Sequence, residues 1–320
     1  MEKVSIIIPC PEINEQTEKC IRECLNLDYD NFEILVFPDF KFKKYEDKRV
    51  KVITSGKTKP AFKRNLGMEK ATGKFFAFID DDAYPRKDWL KNAMKYFKDK
   101  RIGIVGGPNL TPKEANFAEQ VSGYVMQNFL TSGPARIRYK ISSNRFTYEL
   151  PSCNYIVRAD IAPKYDSKYL TAEDSKFCFN IIKKGYKVLY AKDVIVYHHR
   201  RDTLWKHIKQ IFVYSRDIAW LTKKEFAFNK LLYSMATIAM IIFVIGLIFS
   251  FFDDTIRFIF IIVVILYLIL ILITSLHKGP ITSFYVFIIT IATHFTYGIG
   301  WLYGIFSQAE KTEIVEWNTR

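Results

Sequence analysis

The 320 residues predict an α/β domain with a mostly parallel sheet, followed by an amphipathic interfacial segment and three membrane-crossing helices. Three observations carry this reading. Short β-branched runs alternate with helical periods over the first two hundred residues. The formal charge of +14 sits wholly in residues 1–229, because Lys230–Arg320 hold five basic and five acidic side chains. The last quarter contains three long apolar stretches almost free of charge.

Each element follows in order. Val4–Ile8 is a β-branched run stopped by Pro9, hence a strand. Thr17–Leu27 has helical spacing, and Phe32–Phe37 is a strand that ends at Pro38-Asp39. Lys51–Thr54 reads as a brief strand, and Pro60–Ala71 as a helix opened by proline and closed before Gly73. Lys74–Ile79 is a strand running into Asp80-Asp81-Asp82. Trp89–Lys98 reads as a helix, and Ile102–Val105 as a strand closed by Gly106-Gly107. After Gly185 come the strands Tyr186–Tyr190 and Val194–Tyr197, the second ending at His198-His199. This rhythm predicts helices covering a sheet over residues 1–202. In such sheets ligands bind beyond the carboxyl ends of the strands.

Residues 203–229 interleave Trp, Phe and Ile with Lys and Arg, and Trp205, Ile208 and Phe212 share one helical face. That pattern fits a helix lying in a membrane interface, or a domain helix packed on the sheet. The stretches 231–252, 257–276 and 281–306, within a membrane region 230–308, approach or exceed the ~20 apolar residues a spanning helix needs. The loop 253–257 is acidic on balance, the loop 277–280 is basic, and the tail 309–320 is slightly acidic. By the positive-inside rule the domain 1–202 and the second loop lie on the cytoplasmic face, with the first loop and the tail outside. The five cysteines have no zinc-site spacing and read as reduced thiols of a cytosolic compartment. The N-terminus lacks the apolar core of ~7–15 residues that marks a signal peptide. A cationic first part suits nucleotides, lipid phosphates or an anionic bilayer face, and nucleic acid is not an expected partner.

Four places carry candidate chemistry. Asp80, Asp81 and Asp82 stand together at the end of a strand. Like charges so close need a cation or full solvation, and oxygen ligands suit Mg²⁺ or Mn²⁺ bound with substrate phosphates. The alternative is an acidic turn leading into the next helix. Lys63 and Arg64 open a helix and place two cations where a diphosphate would sit; the alternative is a solvated helix start. Glu173-Asp174 follows Thr171 in a capping-box pattern, so Asp174 is either a helix cap or a general base. His198 and His199 are either surface residues or partners of a metal or phosphate.

Taken in order, these pieces resemble glycosyltransferase family 2, the inverting enzymes of the GT-A fold. The likeness runs over about residues 3–220. It rests on Val4-Ser-Ile-Ile-Ile-Pro9, Phe32-Glu-Ile-Leu-Val36 with Asp39, Lys63-Arg64-Asn65-Leu-Gly67, and Phe78-Ile-Asp-Asp-Asp-Ala-Tyr-Pro85 with Asp88-Trp89-Leu90. It continues through Leu150-Pro-Ser-Cys-Asn154 with Val157-Arg158, then Glu173-Asp174, Lys184-Gly-Tyr-Lys-Val-Leu-Tyr190 and Val196-Tyr-His-His199. The resemblance implies a nucleotide-sugar donor held by Pro9, Asp39, Lys63, Arg64, Asp80 and Asp81. It implies a divalent metal, Mg²⁺ or Mn²⁺, on Asp80 and Asp82 with His198. It implies Asp174 as base beside Glu173, and an acceptor side at Cys153 and Asn154. The acceptor is expected to be a hydroxyl of a lipid-linked saccharide or glycolipid. The weighed alternatives are a polyprenyl phosphate acceptor and a non-catalytic nucleotide-sugar-binding membrane protein. Two departures stand out. Cys10-Pro11-Glu12-Ile13-Asn14 replaces the usual aromatic-Asn-Glu turn after the first strand, and no Gln-x-x-Arg-Trp is present, which implies single additions.

Overall fold

The computed structural model describes residues 1–42, 45–225, 232–277 and 279–308. Lys278, the end of the interfacial segment at 226–229, the start of the first apolar stretch at 230–231 and the tail 309–320 lie outside the described residues. The chain divides into two compact units. Among the described residues, one holds Met1–Glu114 and Ile137–His199; the other holds Ala115–Arg136 and residues 200–308.

The first unit contains β1 (Val4–Pro9), α1 (Glu15–Leu25), β2 (Phe32–Phe37), β3 (Val50–Val52), α2 (Pro60–Lys70), β4 (Phe75–Phe78), β5 (Ala83–Pro85), α3 (Trp89–Tyr96), β6 (Ile102–Gly106) and β7 (Asn109–Leu110). It resumes with β8 (Arg145–Thr147), β9 (Tyr155–Arg158), α6 (Glu173–Lys183), β10 (Lys187–Tyr190) and β11 (Val196–His198). The large sheet has the order β3-β2-β1-β4-β9-β6-β10-β8, and a small one has the order β5-β11-β7. Strands β1, β2, β3 and β4 run parallel, whereas β9 enters antiparallel between β4 and β6. The expected mostly parallel α/β domain is therefore present, with a reversed strand in its middle.

Strand β1 is buried on both faces, as a central parallel strand must be. Ile6 and Ile8 pack with Cys20, Ile21 and Cys24 of α1 and Trp89 and Leu90 of α3. Ile7 points the other way, into a cluster with Ala61 of α2 and Phe177, Cys178 and Ile181 of α6. Burial of each such isoleucine contributes about 1.5–3 kcal/mol.

Among the buried polar groups of this unit is Glu33 on β2. It accepts from Ser5 Oγ at 2.8 Å, Thr72 N at 2.8 Å, Thr72 Oγ1 at 2.7 Å and Lys51 Nζ at 2.8 Å. It thereby ties β1, β2, β3 and the turn after α2 together. Burial opposes its ionisation, but Lys51, Thr72 and Ser5 overcome that and hold its pKa at about 2.

The second unit contains α4 (Phe117–Gln127), α5 (Phe129–Ser132), α7 (Leu204–Lys224), α8 (Met235–Phe249), α9 (Asp254–Thr274) and α10 (Pro280–Phe306). Leu232–Phe249, Asp254–Thr274 and Pro280–Phe306 are long and apolar enough to cross a membrane. Residues such as Ile262, Leu266 and Leu270 point outward, a surface that bare water does not tolerate over such an area. Helix α7 runs beside α10. A Cβ at Gly300 would lie 2.2 Å from Ser215 Oγ, and one at Gly304 would lie 2.5 Å from the Arg216 carbonyl oxygen, so only glycine permits this backbone approach. Lys223 Nζ closes the far end by donating to Ile305 O at 2.9 Å and Ser307 O at 2.6 Å.

Because the folded pKa of Glu33 lies below its unfolded value of about 4.3, its stabilisation is complete above pH 4.3 and is lost as pH falls toward 2. Glu33→Gln is expected to destabilise the first unit by about 1–3 kcal/mol at neutral pH. The gap to wild type should close between pH 4 and 2 in thermal unfolding of the detergent-solubilised chain. A pH-independent gap would contradict this account.

Candidate active site

The carboxyl ends of β1, β2 and β4 form one edge of the large sheet, and the residues singled out in the sequence gather there. Pro9 ends β1 opposite Phe37. Asp39 follows β2 and is fastened by its N–H to Pro11 O at 2.9 Å, so the Cys10-Pro11 turn holds it. Asp80, Asp81 and Asp82 follow β4. Because β9 is antiparallel, its first residue, Tyr155, faces Phe78, and this brings Cys153 and Asn154 to the same edge. Strand β11 pairs His198 with Ala83 and delivers the imidazole to the aspartates.

Helix α2 begins at Pro60, where a missing N–H has no cost. Its residues Lys63 and Arg64 project in different directions, since successive helical positions differ by about 100°. Lys63 is fully buried and donates to the Asp39 carboxylate and, at 2.5 Å, to Cys10 O. Burial pulls its pKa down, against the opposing charge of Asp39. Arg64, 3% exposed, donates from Nη2 to Asp80 Oδ1 at 2.7 Å and from Nη1 to Glu173 Oε1 at 3.0 Å. Both are buried and engaged by carboxylates of the site, so neither belongs to a solvated helix start.

Asp80, Asp82 and His198 place one ligand atom each within 4.8 Å of one another. His198 Nε2 lies 3.1 Å from Asp82 Oδ1. Burial alone would lower the imidazole pKa; the Asp82 charge outweighs it and raises the ring to about 10. The donor set, two carboxylates and one imidazole, part exposed, fits a divalent cation. Asp81 is buried beside it.

Helix α6 starts at Glu173 with Ala172 as its N-cap, so Thr171 and Asp174 do not form a capping box. Asp174 Oδ1 accepts the Ser175 N–H at 2.7 Å. Burial raises the pKa of both Glu173 and Asp174; their adjacent charges add to this for Glu173, while Arg64 opposes it. Glu173 Oε2 and Arg64 Nε are buried without a hydrogen-bond partner among the described residues, a mark of a site completed by something else.

The expected acceptor residues lie deeper than the sequence suggests. Asn154 is fully buried, accepts from Trp89 Nε1 at 2.8 Å, and donates to Pro108 O and Val194 O at 2.9 Å each. Cys153 accepts from Asn109 Nδ2 at 3.3 Å. Both shape the edge from beneath it. Sequence reasoning missed the ion pair Arg138–Glu149, whose side chains are 17% and 12% exposed and whose opposite charges both act on Asp174. It also missed Tyr165, whose ring lies 5.5 Å from the Arg64 guanidinium carbon. No local pattern announces either.

Residues 5–159, just under half of the chain, match the family model described as Glycosyl transferase family 2, and this match together with the relatives below makes the chain a glycosyltransferase. It is 26% identical over 288 residues to a dolichyl N-acetyl-α-D-glucosaminyl phosphate 3-β-D-2,3-diacetamido-2,3-dideoxy-β-D-glucuronosyltransferase of Methanococcus voltae, covering 80% of this chain and 88% of that one. It is 22% identical to the glycosyltransferase AglE of Haloferax volcanii, covering 62% and 67%. Among solved structures, the mannosyltransferase PcManGT of Pyrobaculum calidifontis, in complex with GDP-Man and Mn²⁺, superposes with a TM-score of 0.53 at 16% identity. That match covers 72% of this chain and 66%, just under two thirds, of the other, and it shows a shared fold.

Removing one partner of the buried Lys63–Asp39 pair leaves a charge without compensation. Lys63→Met is expected to destabilise the domain by roughly 3–5 kcal/mol, and the double change Lys63→Met with Asp39→Leu by much less. Thermal unfolding of the three proteins checks this; equal losses in the single and double variants would show that the pair is not coupled.

Proposed function

We propose that the chain is an inverting, non-processive transferase that moves a sugar from a nucleoside diphosphate donor to a hydroxyl of a membrane-held, lipid-linked saccharide or glycolipid. One observation carries the reading: a single buried guanidinium, Arg64, joins Asp80 of the candidate metal cluster to Glu173 beside the candidate base. A donor end and a base end thus share one rigid group.

Asp80, Asp82 and His198 would hold Mg²⁺ or Mn²⁺, which when bound offsets charge on the leaving diphosphate. Asp39, fixed by Lys63, faces the nucleoside, with Pro9 and Asp81 shaping the same end. Asp174 is the base. Glu173 has one oxygen on Arg64 and the other buried, whereas Asp174 is part exposed and open to an approaching hydroxyl. Asp174 takes the proton of the acceptor hydroxyl as its oxygen forms a bond to the anomeric carbon. The bond from that carbon to the diphosphate breaks on the opposite face, so the configuration inverts. A phosphate monoester, with its second pKa near 6, is already a nucleophile at neutral pH and needs no base; a part-exposed carboxylate of raised pKa therefore favours a hydroxyl acceptor. The methanogen relative, named for a dolichyl-linked N-acetylglucosaminyl phosphate, supports a lipid-linked acceptor. The apolar helices and the confinement of positive charge to residues 1–229 support a catalytic domain on the cytoplasmic face.

Two tests follow. Detergent-purified protein given a series of nucleotide sugars is expected to release nucleoside diphosphate with one donor, only when both Mn²⁺ or Mg²⁺ and a lipid extract are present. An acid-labile glycosyl phosphate product would instead assign a phosphate acceptor, and absence of release with every donor would favour a binding role. In the same assay Asp174→Asn is expected to lose roughly 100-fold or more in kcat while Mn²⁺-dependent binding of the nucleoside diphosphate is kept. Because the base must be deprotonated and its pKa is raised, kcat should rise with pH along an acidic limb lying above the ordinary aspartate range of about 3.9. Near-wild-type turnover by Asp174→Asn would remove it as the base.

A further inference from the structure

Within a chain part that is otherwise rich in charge, the sixteen residues 120–135 carry none. They form most of α4, all of α5 and the turn that follows, and they belong to the second unit together with the apolar helices. Val121 and Val125 of α4 make a small core with Val286 and Ile289 of α10. The Phe117 ring meets the Tyr285 ring edge-on at 5.2 Å. Ser122 Oγ bonds His207 Nδ1 at 2.7 Å, and His207 Nε2 bonds Thr293 Oγ1 at 3.1 Å. Beyond α4, His294 Nε2 donates to Leu130 O at 2.9 Å, while His294 Nδ1 accepts from Tyr267 OH of α9 at 2.8 Å. At ~1.5 Å per residue, His294 lies about 21 Å from the start of α10, near the middle of a helix long enough to cross a membrane. The segment therefore tracks α10 from its early turns to its middle.

Backbone at that depth has no water to bond and must be satisfied within the protein. The bend between α4 and α5 meets this condition. Asn128 Oδ1 accepts from Leu130 N at 3.0 Å, and Asn128 Nδ2 donates to Thr274 Oγ1 at 3.1 Å. Thr131 Oγ1 donates to Val125 O and, at 3.0 Å, to Asn128 O. Leu130 O is taken by His294. The group left facing outward is apolar: Phe129 is 54% exposed. The next charge along the chain, Arg136, lies with its guanidinium 5.1 Å from the Phe129 ring centroid, as a snorkelling side chain does at a headgroup boundary.

We propose that residues 117–132 are a re-entrant segment of the membrane unit, entering the apolar layer beside α10 and leaving it at Arg136, so that lipid acyl chains cover Phe129. This does not depend on the reaction proposed above. The test uses the full chain in liposomes of phosphatidylcholine and phosphatidylglycerol. The five native cysteines are buried, so a fluorophore can be placed selectively on Phe129→Cys, on Leu266→Cys of α9, or on Tyr148→Cys, which is 66% exposed in the first unit. The probe at 129 is expected to behave like that at 266, quenched several-fold more by acyl-chain nitroxide lipid than by aqueous iodide, with the reverse at 148. Iodide quenching at 129 equal to that at 148, with 266 still lipid-quenched, overturns the re-entrant segment alone; iodide access at 266 as well overturns the membrane reading of both. Should Phe129→Cys fail to fold, a photoactivatable diazirine lipid on the wild-type chain, mapped by mass spectrometry, gives the same answer. Labelling of 120–132 alongside α9 is expected, and labelling of α9 alone overturns the proposal.

Discussion

Asp39, Asp80, Asp82, Glu173 and Asp174 stand at one edge of one sheet, and their mutual repulsion is the problem around which the rest of the domain is arranged. Two carboxylates ~5 Å apart repel by roughly 3 kcal/mol at an effective dielectric of about 20. The first turns of α2 answer with two adjacent cations aimed at different acids. Lys63 neutralises Asp39, and Arg64 divides its fork between Asp80 and Glu173. Arginine suits the second task because its planar fork reaches two acceptors at once, which an ammonium on a flexible stem cannot do in the same way. Asp82 is left to His198, the one cluster pairing in which the neutralising group is itself a potential metal ligand.

This arrangement depends on the sheet. Helix α2 can deliver cations into the site because Ala61 and Gly67 let it lie close on β1 and β2, where a Cβ at Gly67 would meet Ile7 at 2.5 Å. The fully buried β1 in turn fixes where β2 and β4 end, and so where Asp39 and Asp80 begin. Glu33 fastens the opposite end of the same strands. Stability of the sheet and geometry of the site are therefore one question: a shift of β4 against β1 would move the candidate metal cluster relative to Arg64.

Much of this was legible in the sequence, and what was not has physical reasons. Parallel strands buried on both faces read as continuous apolar runs, which is why β1, β2 and β4 stand out. Strand β9 does not, because its four residues follow a short 3-10 turn and carry no turn signal of a reversed strand. Acids at strand ends mark the site, since an acid there needs a reason. Which cation meets which acid is a tertiary fact, and burial excludes the alternative of a solvated helix start for Lys63 and Arg64. Asn154, placed on the acceptor side by the resemblance, is bonded to Pro108, Val194 and Trp89 as a buried brace, which no local pattern announces. In the second unit, Gly300-x-x-x-Gly304 is visible as a small-residue spacing but gains meaning only from α7 pressed against it. The charge-free run 120–135 is just as visible and escapes notice because it is shorter than a span.

The strength of the proposed base would follow from the same balance of charge and burial. A carboxylate in water is a weak proton acceptor for a sugar hydroxyl, and a raised pKa improves it as long as the group stays ionised at the working pH. Burial does the raising at Asp174, while Arg138 draws the pKa down and Glu149 pushes it up. Since Arg138 and Glu149 are paired with each other, their opposed effects on Asp174 largely offset, and desolvation sets the result. An acceptor that excludes water on entering would raise the proton affinity of Asp174 further, at the moment when a hydroxyl is in place to use it. A proposed base tuned by desolvation in this way would gain its basicity from the acceptor it serves.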